Sequence, residues 1–419
     1  MPTKILSPRL QSLFWSRLLL AFAFGLSFPF IPIYFAARGL PLGVIGMLMA
    51  ANLLASAFGH LAGGPLSDGL GSRLTMIASL RWRSIATMFL ALLIFFNAEV
   101  SLVAGLILAA SFIGHLFQPA CDAYISSEVS FTQRSSVFSS MRVGINAGWA
   151  LGPAVGGLLA SHLGYGTLFA LTAVLTGINA LWLDRKLPVQ PPVSPMDRGH
   201  YRMGALVRFW AKSFDDPSWR FFVQIYFLGS LVYSQLFTML GLYLSRYRGE
   251  PEAVIGLLFG WNGLLVVLTQ IKVTKRLENI PLTLACCWGL VFYAMGYGLL
   301  SVIESIPMYF LAVTITTLGE VIHSPAANAL TANLASQLGG SARQGSYIAL
   351  AQSAGVLGSL AASVLTGYLL ELAAPVHPSY PWLTIGTVAL AASVSYLFLQ
   401  KRITDKEILG LRRYNKIND

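Results

Sequence analysis

The sequence predicts an all-α membrane protein, twelve transmembrane helices in two pseudo-symmetric six-helix bundles. Three observations carry that prediction. Of the 419 residues 55% are hydrophobic and only 11% charged, and the mean hydropathy is +0.66, so most of the chain must face lipid or other helices rather than water. Apolar runs of about 20 residues, enough to cross a bilayer, recur along the whole length. One long polar connection divides those runs six and six, and short segments repeat across the division.

The elements follow in order. The first run, 13–37, comes after Lys4 and Arg9 but is too long for a secretory signal and has no small-residue cleavage site, so it reads as a span. Runs 43–66 and 75–97 are joined by Gly64-Pro65-Leu66-Ser67-Asp68-Gly69-Leu70-Gly71-Ser72-Arg73, whose glycines permit a tight turn. Run 100–125 holds His115, Gln118, Cys121 and Asp122, run 136–161 holds Arg142 and Asn146, and run 164–184 closes the first half. Residues 185–218 mix charges with Pro188, Pro191, Pro192 and Pro195, the composition of a linker. The second half contributes 219–244, 253–273, 280–302, 306–333, 344–372 and 380–400. Four regions result: a bundle over 1–184, a cytoplasmic linker over 185–218, a second bundle over 219–400 and a cytoplasmic tail over 401–419. Gln118-Pro119-Ala120-Cys121-Asp122-Ala123 lines up with Ser324-Pro325-Ala326-Ala327-Asn328-Ala329, and Arg134 with Arg343. Such duplication marks a transporter whose halves rock about a midplane site.

Charge sets the orientation. An even number of spans puts both termini on one side. Of the 28 Lys and Arg residues only Arg38, Arg246 and Arg248 fall opposite the termini, with Arg17, Arg81, Arg83 and Arg142 well inside spans. Both termini are therefore expected in the cytoplasm. The net charge of +11 is an orientation signal spread over loops and tail, not a nucleic-acid surface. Cys121, Cys286 and Cys287 lie in apolar runs without ligand spacing and read as packing residues, as do His60 and His115; no metal is expected. Phosphate-loop and zinc-protease motifs are missing, so the chain does not read as an enzyme and no cofactor is expected.

Within the fifth run, Gly148, Gly152 and Gly156 recur every four residues and form a bare helical stripe for close packing. Pro153 inside it removes a backbone donor, and Gly157 follows. A helix that is thin and weakened at one place suits a moving joint.

On these residues the chain resembles the major facilitator superfamily. Gly64 to Arg73 is similar to the family's cytoplasmic loop motif G-x-L-a-D-r-x-G-r-k, and Gly148 to Gly157 matches every fixed position of the fifth-helix antiporter motif g-x-x-x-G-P-x-x-G-G. Within the superfamily the similarity points to twelve-span drug:proton antiporters, particularly the MdtH-like branch of bacterial inner-membrane exporters. The resemblance implies conformational roles for Gly64, Asp68, Gly71, Arg73, Gly148, Gly152, Pro153, Gly156 and Gly157, and a charge relay from Asp68 through Arg73 to Asp122. The chain also departs from the pattern. Gly69 and Ser72 stand where arginines are usual, span 1 has no carboxylate, and span 4 has no membrane arginine.

Charges inside spans are costly and mark cavities or partners. Arg142, Arg83 and Arg17, with Asn146 and Gln118, are the candidate substrate-binding residues. Snorkelling to the cytoplasmic boundary is the competing reading for Arg17, Arg81 and Arg83. Glu320 in span 10 is the candidate proton carrier, with His323 one turn away on the same face and Asp122 as runner-up, because burial and exposure during alternating access load and unload a carboxylate. Amides such as Asn52, Gln224, Gln235, Asn262, Gln270 and Gln352 either line the pathway or bridge helices. The function expected is a multi-pass, monomeric transporter of a bacterial inner membrane, dealing with a small-molecule substrate, protons and the lipid bilayer. Proton-driven export of small amphipathic or organic-anionic compounds is the leading form. A symporter or facilitator importing a metabolite or siderophore, or a siderophore exporter, is the alternative.

Overall fold

The computed structural model describes residues 6–129, 134–188, 214–277 and 280–403; most of the predicted linker and tail lies outside them. Among the described residues the regular structure is helical. α1 (Pro8–Ser27) passes through a 3₁₀ turn, Phe28–Phe30, into α2 (Ile31–Ala37). The break falls where Pro29 and Pro32 remove two donors from one span. α3 (Leu42–Leu70), α4 (Ser72–Phe95), α5 (Val100–His115), α6 (Phe117–Glu128) and α7 (Arg134–Lys186) follow. After the linker come α8 (Pro217–Thr238), α9 (Leu240–Tyr247), α10 (Glu252–Leu277), α11 (Leu282–Leu300), α12 (Ile306–Tyr368) and α13 (Tyr380–Arg402).

Eleven segments among the described residues are long and apolar enough to cross a membrane. The longest, Ser140–Lys186, has 47 residues, roughly 70 Å of helix against a hydrocarbon core of about 30 Å. Gly164, at φ 75°, interrupts it, so it holds two spans and the total is twelve. Only glycine enters that left-handed conformation freely. α12 likewise carries two candidate spans, Ile306–Leu338 and Tyr347–Ala373. The outer faces are apolar: Leu61, Trp82, Phe89, Ile271 and Trp288 are all more than half exposed, as lipid-facing side chains are.

The helices gather into two compact units, Met1–Arg198 with Gly241–Val267, and Gly199–Leu240 with Leu268–Asp419. In the first, Leu13, Met76, Leu80, Phe117, Tyr124 and Met141 form a buried cluster that draws α1, α4, α6 and α7 together. Two hydrogen bonds tie the second span of α7 to α1: Thr172 Oγ1 donates to Ala23 O at 3.1 Å and Asn179 Nδ2 to Ser16 O at 3.1 Å. In the second, Trp219, Tyr293, Tyr297, Trp382 and Tyr396 are fully buried; Tyr297 stacks on Trp382 at 5.6 Å and donates to Val232 O at 2.9 Å.

The glycine stripe has a definite partner. A Cβ on Gly148 would stand 2.5 Å from Leu18 O, one on Gly152 2.7 Å from Phe22 O, and one on Gly156 2.3 Å from Leu26 O, so the stripe is a seam against three successive turns of α1. Gly157 faces another way. Its Cβ would meet Glu252 O at 2.3 Å and Gly256 Cα at 2.9 Å, on α10. There Gly256, Gly260 and Gly263 present a second small-residue stripe to Ala150, Pro153 and Ala154. Near this crossing Tyr165 Oη donates to Glu252 Oε1 at 2.5 Å and Ala253 N to Ser161 Oγ at 2.9 Å. The second unit repeats the first seam. Gly358 presses on Phe227 O and Gly355 on Tyr226 and Ser230, so the second span of α12 lies against α8 as the stripe lies against α1.

Candidate functional site

The first unit holds an open cavity of ≈ 270 Å³ lined from α1, α3, α4, α5, α6 and α7. α1 supplies Arg17, Leu20, Ala21 and Phe24, α3 His60, α4 Arg83, and α7 Ile145 and Trp149. His115 and Gln118 stand either side of Leu116, where the fourth span breaks into α5 and α6. Three of the five substrate-binding candidates, Arg17, Arg83 and Gln118, thus meet at one cavity. The other two do not line it: Asn146 is half-buried on α7 and Arg142 is exposed.

The two cavity arginines are both buried, so neither snorkels. Arg17 is neutralised. Its Nη2 donates to Asp122 Oδ1 and its Nε to Cys121 Sγ at 3.2 Å, while Gln118 Nε2 donates to Asp122 Oδ2 at 3.2 Å. Arg83 is 8% exposed and lies over the Phe24 ring, Cζ 5.0 Å from the centroid. Beside it the His60 and His115 rings meet edge-on at 5.0 Å. His115 Nδ1 donates to Ser111 O at 2.7 Å. A carbonyl only accepts, so a neutral His115 has an acceptor nitrogen left for the cavity.

The loop motif is built differently from the expected relay. α3 continues through Gly64 and Gly69 to Leu70, and the whole turn is the single residue Gly71, at φ 91°, which caps α3 and starts α4. Arg73 does not lead to Asp122. Its Nη2 donates to Asp184 Oδ1 at 2.6 Å and to Asp184 O at 2.7 Å, its Nε donates to Leu187 O at 2.8 Å, and Arg81 takes the other oxygen of Asp184 at 2.5 Å. Asp68 is exposed in the last turn of α3. The anchor at this end is thus Asp184, at the close of the sixth span, a residue that sequence reading does not single out.

In the second unit Glu320 is half-buried and Tyr233 of α8 donates a hydrogen bond to it. His323 is buried instead among aromatics, edge-on to Tyr293 at 6.4 Å and Tyr396 at 6.0 Å, and its Nε2 has no hydrogen-bond partner among the described residues. The amides divide as well. Gln235 is fully buried, accepting from Thr366 Oγ1 at 2.7 Å, and Asn52 accepts from Ser111 Oγ, so both bridge helices rather than line the cavity. His60, His115 and Tyr233 were not singled out as site residues. Two histidines inside otherwise apolar spans were the available signal for the first pair.

A profile of the Major Facilitator Superfamily matches residues 13–363, most of the chain. The chain belongs to the Major Facilitator Superfamily. Among the superfamily's curated proteins, the Na(+), Li(+), K(+)/H(+) antiporter of Planococcus maritimus is 24% identical over 90% of this chain and 92% of that one. Multidrug resistance protein MdtH of Yersinia enterocolitica is 22% identical over 94% of this chain and 95% of its own. Among solved structures, a POT family transporter in complex with 5-aminolevulinic acid superposes with a TM-score of 0.71, at 18% identity, over 94% of this chain and 96% of that one. The chain is therefore a multi-pass membrane transporter, not an enzyme.

Proposed function

We propose that this superfamily member is a proton-coupled antiporter of a bacterial inner membrane, exporting small amphipathic or organic-anionic compounds. It works as a monomer by alternating access of two six-helix halves, 1–184 and 219–400. The observation that carries the reading is Glu320, a half-buried carboxylate inside a span and hydrogen-bonded by Tyr233. A tyrosine hydroxyl donates to a carboxylate and accepts from a carboxylic acid, so that bond survives in either protonation state. Glu320 can then take and release a proton as its access to water alternates. Support also comes from two relatives, one an antiporter exchanging cations for protons and one a multidrug resistance protein.

The test uses everted membrane vesicles carrying a proton gradient and a pH-sensitive dye. Adding an exported compound collapses part of the gradient when the chain is present and not in its absence. Glu320→Gln abolishes this gradient-driven transport and spares substrate exchange. Uptake with no pH response assigns a facilitator instead, and a pH response of opposite sign assigns a symporter.

A further inference from the structure

Five arginines of the first unit have a partner of opposite or partial negative charge. Arg17 has Asp122, Arg73 and Arg81 share Asp184, Arg9 has Glu128 at 3.1 Å, and Arg38 donates to Tyr34 and to the carbonyl of Ala98. Arg83 is the buried exception. Among the described residues no carboxylate comes within ion-pair reach of it, and the Phe24 ring offers only its negative face. A guanidinium stays protonated at any working pH, so this charge cannot be shed by titration. Its place is nevertheless built. A Cβ on Gly114 would stand 2.6 Å from both Arg83 Cδ and Nη1, so the glycine on α5 leaves the room the side chain fills.

An unpaired buried charge is a standing cost to the fold, kept where something else uses it. What it faces is the ≈ 270 Å³ cavity, whose other walls are largely apolar and aromatic, with Phe24, Phe117 and Trp149 among them. The other arginine of the lining, Arg17, is already paired: Asp122, which is not itself a lining residue, accepts from Arg17 and from Gln118. A neutral His115, with Nδ1 donating to Ser111, has no second donor to offer an anion. On its far side Arg83 also lines a cavity of ≈ 30 Å³ edged by Ser27, Thr87, Ser111 and Thr172, room for about one water and for no second charge.

We infer that this cavity is a binding site for one oxyanion, a carboxylate or phosphonate on a compact aromatic or aliphatic body, with Arg83 as its anchor. The inference rests on the transport reading above and narrows its cargo. The cavity falls just under the range of about 300–1,000 Å³ that holds drug-sized ligands, so it takes an anionic head and a small body. It has no uncommitted carboxylate for a metal ion or an ammonium, and Arg83 repels both. A planar fork of donors matches two oxygens at once, which a lysine does not.

The test is an equilibrium measurement on the purified full-length chain in detergent, so it stands or falls apart from antiport. Benzoate, phenylphosphonate, benzamide and benzylammonium are titrated, with thermal unfolding and calorimetry as readouts. One or both anions raise the melting temperature and bind at least about tenfold more tightly than the neutral and cationic isosteres. A response to benzoate alone assigns the carboxylate, and a response to phenylphosphonate alone the phosphonate. Arg83→Met loses the anion response and unfolds at the same or a higher temperature than the unmodified chain, because it removes an unpaired buried charge. Arg83→Lys retains a weakened response, and Arg81→Met retains it in full. Benzoate affinity is flat between about pH 6 and 8, where the guanidinium and the carboxylate both keep their charge; a steep fall over that range would hand the anchor to the histidines and overturn the assignment. Unfolding of Arg83→Met well below the unmodified chain, equal binding of benzamide and benzoate, or no response to either anion at about 10 mM would each overturn it.

Discussion

At the scale of single residues, the site rests on how Arg17 is satisfied. Its side chain is 4% exposed and that of Asp122 39%, so the pair is half-dry, and removing the carboxylate strands a buried guanidinium. Breaking a fully buried pair costs roughly 3–5 kcal/mol, and the exposure of Asp122 brings Asp122→Leu below that range, to about 2–3 kcal/mol. The double variant Arg17→Met with Asp122→Leu removes both charges and recovers most of that loss. Thermal unfolding of the unmodified chain, both single variants and the double variant reads the coupling directly; strict additivity would mean that Asp122 does not hold Arg17. Arg17 and Asp122 were legible because a charge inside an apolar run stands out. Their pairing was not, since 105 residues separate them. The same limit produced the relay that the structure replaces. Arg73 stands five residues after Asp68 in one motif, and its actual partner, Asp184, is 111 residues away. Glu320 was legible as a lone carboxylate, while Tyr233 was one aromatic among many.

At the scale of elements, hydropathy placed the spans well because their lengths are fixed by the bilayer. It could not say which way a helix face points. Gly148, Gly152 and Gly156 share a face by periodicity, and that face is spent on the α1 seam. The crossing with α10 falls to Gly157 and its neighbours, whose partners Gly256, Gly260 and Gly263 drew no notice as a stripe in the sequence. The loop glycines differ again: a Cβ on Gly64 meets nothing within 4 Å. Alanine at the two places should then act in opposite directions. Gly156→Ala drives a Cβ to 2.3 Å from Leu26 O, and overpacking of about 1–3 kcal/mol outweighs a gain in helix propensity of about 1 kcal/mol. Gly64→Ala keeps only the gain, so its melting temperature holds or rises. A Gly156→Ala variant as stable as the unmodified chain would show that the α1 seam gives way easily. A stable but inactive Gly64→Ala would locate the need for that glycine in a conformation other than this one.

At the scale of the whole molecule, orientation is set by where the cations fall, and no packing detail bears on it. With Arg38, Arg246 and Arg248 as the only basic loop residues opposite the termini, the bias is steep enough to fix the inward side of every loop at once. The chain is well suited to a direct test, because Cys121, Cys286 and Cys287 are buried and a membrane-impermeant maleimide has little native thiol to reach. Glu99, after the third span, and Glu304, after the ninth, are exposed, as are Asp68 after the second and Arg402 at the end of α13. In intact cells Glu99→Cys and Glu304→Cys label at once, whereas Asp68→Cys and Arg402→Cys label only after the membrane is opened. The four sites together separate the ways of being wrong. Complete inversion reverses all four and would mean the cation bias does not orient this chain. Disagreement confined to Glu304 and Arg402 would instead displace the second half alone and break the six-and-six plan, since an even number of spans in each half is what puts the linker and both termini on one side.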